Sequence, residues 1–233
     1  MAEQEQLDKA MRFLISLLLL VCLGPEVAKS SENKDDWKLV TERNSVTIYT
    51  RPHPGSGLKE FKGIGEIAAP TRAIAEVIED VDGYPNFMPY VAECRYLKRD
   101  NNSLVSYQRI SPKVCRDRDL VVRTYISSQS TSAGLVYSNR WESASESAPA
   151  KKPGVIRVEQ CQGSWLLEPI TADRTRATYS AYSDMGGLIP AFLANHFSLA
   201  AIGEIFTAVR KQVKEPNTTD KEQQDHSRFV SDP

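Results

Sequence analysis

Residues 190–213 read as one long amphipathic helix, and the chain ahead of it, back to Val46, is dominated by segments of period-two alternation. Phe192, Leu193, Phe197, Leu199, Ile202, Ile205, Phe206, Val209 and Val213 mark an apolar face. Pro190 suits its first turn, and Glu215-Pro216 ends it. Alternation predicts half-buried strands over 46–51, 59–67, 91–98, 104–110, 120–127, 135–142, 155–167 and 175–183. Pro52-His53-Pro54-Gly55-Ser56-Gly57 and Asp100-Asn101-Asn102 are turn chemistry, and residues 143–154 read as an exposed loop. One short helix interrupts the strands: Thr71 is placed to cap residues 72–79, with Ala73, Ile74, Val77 and Ile78 on one face. A single antiparallel sheet has a face to bury, and the long helix is its obvious cover. The fold class is therefore α+β, a curved antiparallel sheet gripping a C-terminal helix. Space left between helix and sheet forms an internal hydrophobic cavity suited to an apolar ligand.

The N-terminus has a different character. Arg12 precedes the apolar run Phe13–Leu23, and Ala28-Lys29-Ser30 follows with small residues at both positions a signal peptidase reads. That run is short for a bilayer span, which needs ~20 residues. Residues 1–30 are thus expected to be a signal peptide, with a buried helix or an uncleaved membrane anchor as the alternative. Residues 31–215 form the folded domain, and the polar residues 216–233 a disordered tail. The expected location is periplasmic or secreted. Cys94, Cys115 and Cys161 would remain after cleavage, an odd number, and their spacing matches no zinc pattern.

Charge narrows the partners. The chain has 29 Lys+Arg against 30 Asp+Glu, a formal net charge of -1. No basic excess or stripe calls for nucleic acid. No phosphate loop, G-x-S-x-G or H-E-x-x-H appears. No cofactor, metal site or catalytic set is expected, and the protein is read as a monomeric binder rather than an enzyme.

Three segments then carry a family resemblance. Asp82-Gly83-Tyr84-Pro85-Asn86-Phe87-Met88-Pro89, Pro112-Lys113-Val114-Cys115-Arg116-Asp117-Arg118-Asp119 and Asp184-Met185-Gly186-Gly187-Leu188-Ile189-Pro190-Ala191 occur in order. Together they resemble the START domain, the lipid-transfer family related to steroidogenic acute regulatory protein, over roughly Trp37 to Val213. Phe87, Lys113 and Val114 depart from its usual residues. The resemblance implies a helix-grip fold that binds, transfers or senses a lipid, sterol or similar molecule, with transient membrane contact. It implies strand-joining loops as a lid, here Ser130–Gly134, while Gly186-Gly187 is a candidate hinge. Arg123 falls one residue before the family's inward-facing arginine step, which Thr124 occupies, and one step along a strand reverses the face.

The candidate ligand-binding residues are Tyr107, Arg118, Arg123, Trp141, Trp165, Tyr182, Phe192, Asn195 and Phe197. Arg118 and Asp119 are also expected to form a structural ion pair. The competing reading is a helix-grip enzyme of polyketide cyclase or hydrolase type, for which His196, Asp184 and Tyr182 are the cluster to weigh.

Overall fold

The computed structural model describes residues 36–215, except 101–102, 113–114 and 188. The expected signal segment, the polar tail, the Asn101-Asn102 turn, and Lys113, Val114 and Leu188 of the quoted segments lie outside the described residues.

Ten strands build one curved sheet: β1 (Lys38–Arg43), β2 (Val46–Pro52), β3 (Lys59–Ile67), β4 (Val91–Asp100), β5 (Ser103–Ile110), β6 (Arg118–Thr131), β7 (Gly134–Ser143), β8 (Ile156–Arg157), β9 (Gln160–Thr171) and β10 (Arg174–Asp184). Their order is β1-β2-β3-β10-β9-β7-β6-β5-β4, antiparallel along this path. Among the described residues three α-helices accompany them: α1 (Thr71–Glu79), α2 (Tyr84–Phe87) and α3 (Ala191–Gln212). The α+β helix-grip architecture expected from the periodicity is the one observed.

Several local readings needed the third dimension. The alternating segment 155–167 is two strands, because β8 leaves the main path and pairs parallel with β6 at Arg118 and Asp119. Thr71 does not cap α1. It is the first helical residue, and its hydroxyl meets that of Thr175 at 3.2 Å while Pro70 holds the cap position. Strand β1 adds an edge strand through a two-residue turn, with Asn44 and Ser45 at φ 52° and 54°. That double left-handed conformation matches the twist of a hairpin. Ser130–Gly134 is no lid loop: β6 runs to Thr131 and β7 starts at Gly134, leaving a two-residue connection.

One face of the sheet carries the core. Val46 and Ile48 of β2, Phe61 and Ile67 of β3, Ala177 of β10, and Trp165 and Leu167 of β9 pack with Ile74 and Ile78 of α1 and Ile202, Phe206 and Val209 of α3. Helix α3 approaches β3 closely because Gly63 and Gly65 carry no side chain. A Cβ on Gly63 would lie 2.5 Å from Ile202 Cγ2, and one on Gly65 would lie 3.1 Å from the Phe206 ring. Arg210 clamps the same end, donating to the carbonyls of Asn44, Ser45 and Glu66. The single apolar face expected for this helix is only half realised. Phe192 is 75% exposed and Phe197 41%, so neither belongs to the core.

Candidate ligand-binding face

Strand pairing sorts every candidate on a strand onto one of two faces. Neighbours directly across a ladder share a face, as do residues two apart on a strand. Trp165 packs on Phe206 of α3 with ring centroids 5.3 Å apart, and Tyr179 lies 4.8 Å from Trp165 and 5.7 Å from Trp141. These three aromatics therefore mark the concave, helix-covered face. Trp141 lies over Gly163, where a Cβ would come within 2.2 Å of the indole. From Trp141 the pairing carries the same face across Thr124, Val122, Leu120 and Arg118 of β6.

The opposite face holds three other candidates. Tyr107 is buried with Val105, Val121 and Ala144, on the side away from α3. Arg123 pairs in register with Glu142 and donates to Glu146 at 2.8 Å. The inward position belongs to Thr124, as the one-residue shift anticipated. Tyr182 stacks on His53 with centroids 3.6 Å apart, and His53 Nδ1 lies 2.8 Å from a Glu60 oxygen. β2–β3 pairing, not local spacing, brings Glu60 to His53.

Arg118 and Asp119 do not pair with each other, since consecutive strand residues point to opposite faces. Asp119 takes a bidentate bond from Arg157, at 2.7 and 2.9 Å, beneath the 144–155 loop. Arg118 is 2% exposed on the concave side and donates to the backbone carbonyls of Met185 and Arg116. No described carboxylate makes a salt bridge with it. Asn195 ties the start of α3 to the β2–β3 loop: its Oδ1 accepts from Lys59 N–H at 3.0 Å and its amide donates to Gly57 O at 3.4 Å.

His196, Asp184 and Tyr182 occupy separate surroundings. His196 is exposed on α3, Asp184 accepts from Gly186 N–H at 3.0 Å, and Tyr182 is stacked on His53. Among the described residues no group of three His, Cys, Asp or Glu side chains is arranged to hold a metal. The three described cysteines are free, and burial raises the Cys94 thiol to about 12. An open cleft of about 300 Å³ lies at His53, Glu142, Glu159 and Tyr182. Its ionisable groups already have partners: Glu142 accepts from Tyr125 and Glu159 from Lys151. The concave face offers the better site.

Several aromatic and apolar side chains of that face are only partly buried. Burial raises the phenols of Tyr84 and Tyr179, yet both side chains keep accessible surface, as do Trp141, Ile126 and Met88. A close-packed interior leaves no such surface on deeply placed residues.

Residues 67–210 match the sequence model of the family described as polyketide cyclase / dehydrase and lipid transport. The chain belongs to that family, as a START domain. An uncharacterized Pseudomonas aeruginosa protein is 31% identical over 168 residues, 72% of this chain and 81% of its own length. Mouse phosphatidylcholine transfer protein is 28% identical over 172 residues, 73% of this chain and 80% of its own. A solved fragment of a STAR-related lipid transfer protein from Xanthomonas axonopodis aligns at TM-score 0.69 and 27% identity, covering 78% of this chain and 100% of that one. Human StAR-related lipid transfer protein 5, at 16% identity and TM-score 0.67, covers 91% of this chain and 98% of its own, and shares the fold.

The START-like segments fall at the junctions of this scaffold. Asp82 accepts the Tyr96 N–H at 3.3 Å, and the Tyr84 hydroxyl donates to Ile78 O at 2.5 Å, fixing α2 against α1. Asp117 accepts from Ser111 and Arg109 at 2.7 and 2.6 Å, bonds that hold its carboxyl below the usual range. Gly186 and Gly187 turn the chain from β10 toward α3 at φ 61° and 76°, a conformation glycine tolerates.

Proposed function

We propose that this START domain binds a lipid or similar apolar molecule between α3 and the concave face of the sheet, and carries it between membranes. The observation that carries the reading is the set of deep aromatic and apolar side chains that keep accessible surface there. Trp141, Tyr179 and Ile126 pack against the core of that face and are still only partly buried. The name of the phosphatidylcholine transfer relatives supports the same ligand class for this chain. Burial contributes roughly 0.8 kcal/mol per methylene. A bilayer offers a similar gain, so the protein lowers the barrier to exchange rather than acting as a sink.

Carriage without chemistry fits the separation of His196, Asp184 and Tyr182, since a positioned acid or base has to reach the ligand. Phe192, Leu193 and Phe197, exposed on one end of α3, are the surface we expect to meet the bilayer during exchange. The protein acts as a monomer in this reading. Residues 1–30 direct it out of the cytoplasm, and N-terminal sequencing of protein from its host should find a start near Ser31. An intact Met1 or Met11 on cytosolic protein would sink the export reading.

Adding bulk between α3 and the sheet tests the binding. Ala201 sits three residues from Ser198 and four from Ile205, on a half-buried stripe beside the core-facing one. Ala201→Trp should abolish binding of pyrene-labelled phosphatidylcholine and of fluorescent sterol while leaving the unfolding midpoint close to wild type. Unchanged binding, or a wild type that binds no apolar probe, overturns the proposal.

A further inference from the structure

On the sheet face away from α3, one cleft gathers side chains that lipid carriage does not use. Tyr182 of β10, Gln162 of β9 and Glu142 of β7 form a cross-strand row, about 10 Å from end to end. Glu159 and Gln160, at the entry to β9, and His53, from the β2–β3 loop, complete its lining around about 300 Å³. Tyr182 is 5% exposed and lines the cleft, and among the described residues its hydroxyl has no hydrogen-bond partner.

The Tyr182 ring is held in place by a stack. The His53 ring lies 3.6 Å from it between centroids and 15° from parallel, and His53 Nδ1 is 2.8 Å from Glu60 Oε1. Arg51 donates to the other oxygen of Glu60 at 2.7 Å, which fixes the carboxylate in turn. With its Nδ1–H given to a carboxylate, a neutral imidazole presents Nε2 as an acceptor. The two lining carboxylates keep acceptor capacity as well. Tyr125 donates to Glu142 Oε1 and Lys151 to Glu159 Oε1, each at 3.0 Å. Bonds from Lys151 and Ser145 hold the Glu159 carboxyl below its usual range. An ionised carboxylate has about four acceptor sites, so neither is saturated. Arg140 stays 3.9 Å from Glu142, beyond hydrogen-bond reach. None of the described residues that line the cleft is Lys or Arg.

We propose that this cleft is a second ligand site, for the ammonium group of a compact organic amine. A primary ammonium carries three donors and no acceptor. It complements a lining of carboxylates, amide carbonyls, a phenol oxygen and imidazole Nε2. Its charge answers Glu142 and Glu159, and charge-assisted hydrogen bonds are about twice as strong as neutral ones. A phosphate or carboxylate would be repelled, and a neutral polyol would leave the carboxylates uncompensated. No three described His, Cys, Asp or Glu side chains are arranged to hold a metal, so a bare cation fits less well. The volume is at the small end for ligand sites, which suits a few carbons rather than a lipid. The inference does not depend on the carrier reading, because the two sites lie on opposite faces of the sheet.

The experiment titrates full-length protein at neutral pH with 1,4-diaminobutane and with 1,4-butanediol, read by amide NMR shifts. The diol keeps the chain length and two donors but carries no charge. The diamine should bind at least about tenfold tighter, the worth of one charge-assisted hydrogen bond. Its shifts should centre on residues 53, 142, 159–162 and 182. Tyr182→Phe should weaken the diamine severalfold without lowering the unfolding midpoint, since that hydroxyl has no partner in the protein. Glu142→Gln combined with Glu159→Gln should erase the difference between diamine and diol. Phosphatidylcholine vesicles with and without phosphatidylethanolamine separate two sources of the group. Displacement of the diamine by the ethanolamine lipid alone assigns a lipid headgroup, and no displacement assigns a soluble amine; both uphold the site.

Equal binding of diamine and diol overturns the proposal. So do shifts scattered over the acidic surface that persist in the double Gln variant, the sign of general charge attraction. Tighter binding of inorganic phosphate, glucose or calcium than of the diamine overturns the ligand class. If Tyr182→Phe lowers stability and leaves diamine affinity unchanged, the hydroxyl is structural and the inference fails. If that variant does not fold, the two surface carboxylate changes still decide the matter. Binding of pyrene-labelled phosphatidylcholine reports separately on the carrier reading, which none of these outcomes touches.

Discussion

The two halves of α3 have similarly apolar sequences and opposite fates. In the C-terminal half Ile202, Phe206 and Val209 are no more than 2% exposed, seated on a sheet cleared by Gly63 and Gly65 and clamped by Arg210. In the N-terminal half Phe192 and Phe197 face outward, and Asn195 supplies two side-chain bonds to the β2–β3 loop. The comparison teaches that an apolar face is buried only where the opposing surface is shaped to receive it. One half is anchored as core, and the other is largely exposed and tied to the sheet by few side-chain bonds, which makes it the half that the proposed function sends to the membrane.

The largest expected effect is on the anchored half. Phe206→Ala removes a fully buried ring and should cost about 3–5 kcal/mol of stability in urea unfolding. A loss near zero would mean that the C-terminal half is not the anchor. Gly63→Val comes next. Its new side chain meets Ile202 and Val46, so a loss of about 1–3 kcal/mol is expected, with α3 lifted from β3. Tolerance of that change would break the claim that the glycines seat the helix.

The lightly held half should respond more weakly. Asn195→Ala removes two hydrogen bonds at an exposed site and should cost about 1 kcal/mol or less. Hydrogen exchange should quicken across residues 191–199 and stay unchanged at 202–210. Equal quickening in both segments would show that the halves move as one body. The smallest effect on stability is expected from Phe192→Ser with Phe197→Ser, within about 0.5 kcal/mol. Lipid transfer between vesicles should nonetheless slow severalfold, and an unchanged rate would remove the membrane role of this half.

Much of this architecture was legible without coordinates. Period two marks strands and period 3.6 marks a helix because those periods follow from backbone geometry. Lys59–Ile67 was bounded as observed, and the long helix, expected from Pro190 to about Glu215, runs from Ala191 to Gln212. The site was less legible, for physical reasons tied to particular residues. Alternation says that Trp141 and Asn139 share a face, as do Val121 and Arg123. It does not say which face receives the helix. Glu142 and Glu159 passed unnoticed because no spacing signal joins them; only the fold brings them to one cleft.

By itself, then, the sequence determined the kinds and order of elements, the need for a helix to cover a sheet, and the family-like turns at Asp82, Asp117 and Asp184. Those are local properties, set by propensity, patterning and turn chemistry within a few residues. Tertiary structure alone decided that Arg118 and Asp119 take separate partners, that His53 meets Glu60, and that half of α3 is core while half is surface. Each depends on which strands become neighbours and how closely backbones approach, and residues distant in the chain set both.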